Sequence, residues 1–248
     1  MIIGSVPYIN CLPLTKHLNG TVIKLPPAEL IHALNNGDID VGLIPSFSII
    51  KNNLKMHPDA GIIGCDGAVK SVGFFTRPYI TNLSEIESLY LDKESLSSVH
   101  LAKIILKRFY GVSLYDLEFF HEDNREMADA QMLIGDKALF FNKPHYFYWD
   151  LGKLWKAETG HGFMFASWAS KRDLTEAELN ELCEAKQKGL AELDKIALEF
   201  EPEKRGLIHN YFTQNLRFEV NDNIKNGFKL YKECLAEYGY SEKDRKAA

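Results

Sequence analysis

Short apolar runs alternate with segments of helical spacing through the first third of the chain, the arrangement that βαβ units and a largely parallel sheet produce. Residues 2–6 read as a strand, 11–18 as a short helix and 21–25 as a second strand. In 28–35, Leu30, Ile31 and Leu34 share one helical face and Gly37 stands where a helix stops, after which 41–44 reads as a buried strand. Residues 68–77 are β-branched and aromatic around Gly73, a place where something can approach the backbone closely, and read as a strand crossing between lobes. The α/β style then repeats, with strands at 88–91, 117–120 and 131–134 and a helix at 97–110. That helix puts Val99, Ala102, Ile105, Leu106 and Phe109 on one face, turns Lys103, Lys107 and Arg108 elsewhere, and stops at Gly111. Residues 163–168 read as a strand returning to the first lobe. Beyond it, Thr175 and Glu178 form a capping box ahead of a long intermittent apolar face, and two more helices follow near 203–213 and 222–238.

No internal repeat and no Gly/Ser/Pro-rich linker interrupts this series, so two lobes joined by strands rather than by a tether are expected. That is the plan of a two-lobed, periplasmic-binding-protein-like α/β fold. The first lobe takes 1–74 and 165–248, the second 75–164, and a ligand cleft is expected between them. A length of 248 residues suits two modest lobes, and 46% hydrophobic with 25% charged residues supplies an ordinary core. Disorder is expected only in the charged tail 241–248.

Charge and cysteines narrow the partners. A net charge of −5 lacks the basic footprint of a nucleic-acid binder. No stretch approaches the roughly 18 apolar residues of a membrane span, and the N-terminus has no cationic segment followed by a long apolar one, so neither export nor a membrane partner is expected. Cys11, Cys65, Cys183 and Cys234 lie far apart without metal-ligand spacing and read as reduced, partly buried thiols, which points to the cytoplasm.

Candidate chemistry is sparse. Dinucleotide fingerprint, P-loop, HExxH and GxSxG signatures are all absent, and the eight histidines show no ligand spacing, so neither metal nor organic cofactor is expected. Small polar residues instead mark the ends of strands, where open α/β sheets place their ligands. Asn10, in Tyr8-Ile9-Asn10-Cys11-Leu12-Pro13, reads either as a helix cap or as a ligand donor, and Tyr8 either as core or as pocket wall. In Asp66-Gly67-Ala68-Val69-Lys70-Ser71-Val72, a buried Ser71 has to bond either to backbone or to a ligand. Ser46 reads as the N-cap of the next helix or as a weaker site candidate, while Asp66 and Asp136 read as acid/base groups or turn carboxylates. Ser97 and Ser98, after Ser95-Leu96, stand where free N–H groups and a helix dipole favour a carboxylate, with simple capping as the other reading.

Taken in order, YINCLPL, NGDIDVGLIPS, DGAVKSV, SLSSVHL, LIGDKAL, DLGKLW and FASWA resemble the chorismate dehydratase family of futalosine-dependent menaquinone biosynthesis over about residues 1–170. The resemblance implies a type II periplasmic-binding-protein-like fold and a cofactor-free lyase that dehydrates chorismate to 3-[(1-carboxyvinyl)oxy]benzoate. Asn10 and Ser71 match polar positions of that family's site. Asp136 is the protein candidate for the base, the substrate's own enolpyruvyl carboxylate being the other. Tyr8, Ser46, Gly67, Ser97, Ser98 and Gly135 complete the expected substrate site. Two departures stand out: Cys11 where Thr or Ser is common, and His161 in Thr159-Gly160-His161-Gly162-Phe163. The alternatives are a non-catalytic small-anion-binding protein of the same fold and the related lyase acting on a cyclic futalosine derivative. The latter would be expected to present a histidine base where this chain reads Ile134-Gly135-Asp136.

Overall fold

The computed structural model describes residues 1–92, 96–142 and 144–238; the charged tail 241–248 and Ser95 lie outside them. The first βαβ pattern becomes β1 (Ile2–Ser5), α1 (Leu12–Thr15), β2 (Thr21–Lys24), α2 (Pro27–Asn36) and β3 (Val41–Pro45). The helix expected over 11–18 is shorter and begins as a 3-10 turn, Ile9–Cys11, because Pro13 is tolerated only in the first turn of α1. Gly37 ends α2 at φ +84°, the left-handed position a glycine takes without a Cβ penalty. The chain continues through α3 (Ser46–Asn52), β4 (Lys55–Met56) and β5 (Ile62–Cys65), then leaves this sheet.

The second sheet receives β6 (Val72–Thr76) and β7 (Ser88–Leu91), then α4 (Ser97–Tyr110), β8 (Glu118–Phe120), β9 (Ala130–Ile134), α5 (Gly135–Leu139) and β10 (Phe147–Asp150). Residues 72–74, grouped by the sequence with the first lobe, therefore hydrogen-bond inside the second sheet. After α6 (Leu151–Thr159), β11 (Phe163–Ser170) returns to the first sheet. Then come α7 (Glu176–Ala191), α8 (Leu193–Leu198), α9 (Pro202–Asn210), a π-helical turn at Tyr211–Asn215, and α10 (Asp222–Glu237). The Thr175–Glu178 capping box forms as expected.

Strand order is β2-β1-β3-β11-β4 in the first sheet, with β5 also on β11, and β10-β6-β9-β7-β8 in the second. Both sheets are mixed, which corrects the largely parallel expectation. The βαβ strands β1, β2 and β3 are parallel, as are β7, β8 and β9, but β11 runs antiparallel to β3, β4 and β5, and β6 runs antiparallel to β9 and β10. The exceptions are strands next to the two passages between sheets, where the chain has to arrive from the other lobe rather than through a right-handed crossover.

α4 is buried on more sides than one apolar face allows, since Leu101, Ile104 and Lys103 are covered as well. It packs against α3, α10 and β11 on one side and β9 on the other, so it is wedged between the sheets. Lys103 accommodates this by laying its ammonium over the Phe119 ring. Among the described residues no helix is long and apolar enough to cross a membrane.

Candidate functional site

The ends of β1, β3, β9 and the start of α4 converge on a pocket between the two sheets. The first sheet contributes Val6, Tyr8, Asn10, Cys11, Leu43, Pro45, Ile63, Phe165 and Ala166, with Pro27 from α2. The second contributes Val72, Leu96, Ser97, Ser98, Ile134 and Gly135, and the passage between sheets adds Val69 and Ser71. Apolar walls with a few convergent polar groups are the ordinary make-up of a small-molecule site. Among the described lining residues none is charged and none is histidine.

Asn10, in the turn after β1, and Ser71, on the passage between the sheets, both line this pocket. Asn10 sits in the 3-10 turn after β1, and its Oδ1 accepts the Cys11 thiol at 3.2 Å. Burial pushes that thiol up to about 12, so Cys11 stays protonated and serves as a donor. Ser71 is 1% exposed. Its Oγ accepts a hydrogen bond from the Tyr211 phenol at 2.7 Å while the residue lines the cavity. The backbone before it is held tightly: Asp150 accepts from the Val69 and Lys70 amides at 3.0 and 2.6 Å, and Asn215 donates to the Ala68 carbonyl at 3.0 Å. This clamp keeps Lys70 at φ +67°, a strained conformation for a non-glycine residue, one position before Ser71.

Ser97 and Ser98 lie in the first turn of α4 and line the same cavity. The Ser97 Oγ accepts the Phe47 amide at 3.1 Å, so this serine also joins α4 to the first sheet's α3. The Tyr231 phenol donates to the Ser97 carbonyl at 3.1 Å. Ser98, buried beside it, takes the next position in the first turn of α4 and lines the same cavity.

Tyr8 and Gly135 touch across the lobes. Gly135 has φ +56°, and a Cβ there would stand 3.1 Å from the Tyr8 ring, so both conformation and space call for glycine. Asp136 does not line the cavity. Its Oδ1 accepts the Ile9 amide at 3.2 Å, tying α5 to the loop after β1, and burial raises its carboxyl above the usual value against the opposing pull of that hydrogen bond.

Three expectations are corrected. Ser46 is not an N-cap and does not reach the cavity; the residue is 0% exposed and its hydroxyl donates to the Met164 carbonyl at 2.6 Å, fastening α3 to β11. Gly67 takes φ +130° in the turn between the sheets and lies outside the lining, so its role is conformational. Asp66 faces Lys156 at 2.6 Å and Asn223 at 2.8 Å, and the Lys156 contact holds its carboxyl below the usual value, away from the cavity. Tyr211 is the participant that sequence reasoning missed. Among the described residues no group of three or more His, Cys, Asp or Glu side chains is placed to hold a metal ion.

This arrangement of sheets and cavity defines a two-lobed, periplasmic-binding-protein-like α/β protein with a ligand cleft between its lobes. Solved structures bear out the fold. A protein of Archaeoglobus fulgidus superimposes with a TM-score of 0.71 at 12% identity over 97% of this chain and 98% of that one. The periplasmic aliphatic sulphonate binding protein of Escherichia coli does so with a TM-score of 0.61 at 16% identity, over 96% and 87%. The chain belongs to the menaquinone biosynthesis family, whose model matches residues 1–237. A chorismate dehydratase of Thermus thermophilus is 28% identical over 261 residues, covering 94% of each chain.

Proposed function

We propose that this chain is a cytoplasmic lyase that dehydrates chorismate to 3-[(1-carboxyvinyl)oxy]benzoate on the futalosine route to menaquinone. The observation that carries the reading is the meeting of Asn10 and Ser71 with Ser97 and Ser98 on one cavity whose described lining residues are uncharged. The T. thermophilus relative and the family support it.

Chorismate carries two carboxylates, a hydroxyl on C4 and a proton on C3. Loss of that proton and of the C4 hydroxyl, as water, leaves an aromatic ring, so the driving force lies in the substrate. The protein has to hold the dianion, stabilise charge that spreads onto the ring carboxylate, and keep water out. Neutral donors at the α4 N-terminus suit the first task, and Asn10 and Ser71 suit the second.

That no described lining residue is charged bears on the base. A cation beside a carboxylate lowers its pKa, whereas desolvation raises it. Carboxylates bound by hydroxyls and amides in an apolar cleft therefore keep the basicity that a guanidinium would remove. The enolpyruvyl carboxylate, already attached through oxygen at C3, is left as the proton acceptor, and Asp136, occupied with Ile9, is not required for that step. The absence of histidine among the described lining residues favours this reading over the related cyclic-futalosine lyase.

The test is incubation of the purified chain with chorismate while the aromatic product is followed by absorbance. Wild type should turn over, and Asn10→Ala and Ser71→Ala should each lose about 100- to 1,000-fold in kcat, the effect of removing one preorganised donor, while remaining folded. Ligand binding without turnover would support a non-catalytic binding protein instead. Normal kcat in both variants would show that the reacting ring lies elsewhere.

A further inference from the structure

Tyr211 is a buried phenol that does not line the cavity, yet it meets Ser71, one of the two polar residues placed beside the reacting ring. It donates to Ser71 Oγ at 2.7 Å, spending its one proton there. With its oxygen accepting from Tyr211, Ser71 has its own proton to place. Among the described residues no protein acceptor takes it, and the remaining side of Ser71 is the cavity.

The geometry points to Tyr211 as the positioning residue that fixes Ser71 as a hydrogen-bond donor aimed at the ligand. The local backbone is built for this. α9 widens into the π-helical turn Tyr211–Asn215, which puts Tyr211 and Asn215, a turn apart, on the same crossing segment: one on Ser71, the other on the Ala68 carbonyl. Single π turns inside helices recur at functional sites for this kind of re-aiming. Bonds linked head to tail also polarise one another, so the donor presented to the ligand is stronger than an isolated serine hydroxyl. A dehydration needs such a donor at the carboxylate that gathers charge or at the departing hydroxyl.

The inference rests on the cavity being a chorismate site, and one set of kinetics separates the two. Tyr211→Phe keeps the packed ring and deletes the phenol proton. It should lower kcat about tenfold, the upper range for one neutral hydrogen bond, with KM within about twofold. In a Ser71→Ala background the same substitution should change kcat by less than about twofold, because residues acting through one another are not additive. Tyr90→Phe, whose phenol bonds to Glu122 in the second sheet, is the control and should leave kcat unchanged. Incorporating 3-fluorotyrosine at position 211, a more acidic donor of nearly the same size, should alter kcat and leave KM alone, independently of how well the phenylalanine variant folds. An active wild type whose kcat is insensitive to both changes at position 211, or losses that add fully in the double variant, would overturn the inference alone. A wild type that does not turn over chorismate would overturn the functional reading and this inference with it.

Discussion

Replacing Asp136 by asparagine separates two jobs that this position could hold, a base and a tie between lobes. The carboxylate accepts the Ile9 amide at 3.2 Å from the loop after β1. An asparagine oxygen can accept the same bond. What is lost is the charge assistance, roughly the difference between a neutral bond of 0.5–1.5 kcal/mol and a charged one of 1.5–3. About 1 kcal/mol corresponds to roughly fivefold in any equilibrium that forms the tie. Loss of a general base costs about 100- to 10,000-fold. Steady-state kinetics on Asp136→Asn should therefore show kcat within about fivefold of wild type. The pH dependence of stability gives an independent reading. Burial raises the folded carboxyl above its ordinary value of 3.8, so the folded state favours the protonated form. The cost of ionising it inside the fold grows as pH rises from that ordinary value through the raised one. Asparagine does not ionise, so the melting temperature of the variant relative to wild type should improve across that window and level off above it. A hundredfold or greater loss of kcat with normal folding would refute the reasoning and return Asp136 to the role of base.

Ser98→Ala should weaken substrate binding by about 10- to 100-fold, as expected for a hydrogen bond to a charged group; unchanged affinity in titration calorimetry would remove Ser98 from the carboxylate site. Ser97→Ala should also cost about 1–3 kcal/mol of stability, because it strips the buried Phe47 amide of its acceptor. Gly135→Ala should lose at least about 1–2 kcal/mol in chemical denaturation for the left-handed backbone, and its Cβ, 3.1 Å from the Tyr8 ring, should raise KM by disturbing a cavity wall; wild-type stability would contradict the geometry. The Asn10→Ala and Ser71→Ala losses, and the coupling of Tyr211 to Ser71, complete the set.

Much of the frame was legible because local signals and tertiary need agreed. β3 is an unbroken apolar run and is buried throughout; α2 and α4 stop at Gly37 and Gly111, both left-handed. Other elements left weaker marks. β5 is four residues containing Gly64, and α6 has few apolar positions and starts from Asp150, a cap whose carboxylate also holds amides about eighty positions earlier. Asn10, Ser71, Ser97 and Ser98 could be singled out as polar residues at strand and helix ends, and they do share a cavity. Ser46 and Gly67 carried the same signal and lie outside it, because nothing local states which side of a strand end opens to the ligand. Tyr211 gave no signal at all. A Tyr-Phe pair closing a helix reads as core, and its partner, Ser71, is 140 positions away.

Ser71 stands between Cys65, where the first sheet ends its run, and Val72, where the second begins, on one of the two stretches by which the chain passes from sheet to sheet. A point on the axle of a gate travels least when the gate swings. In any swing of one sheet against the other, Ser71 keeps its place beside Tyr211, while Gly135 rides on the moving leaf. A ligand settling against Asn10 and Ser71 would thus meet groups that such a swing leaves in place.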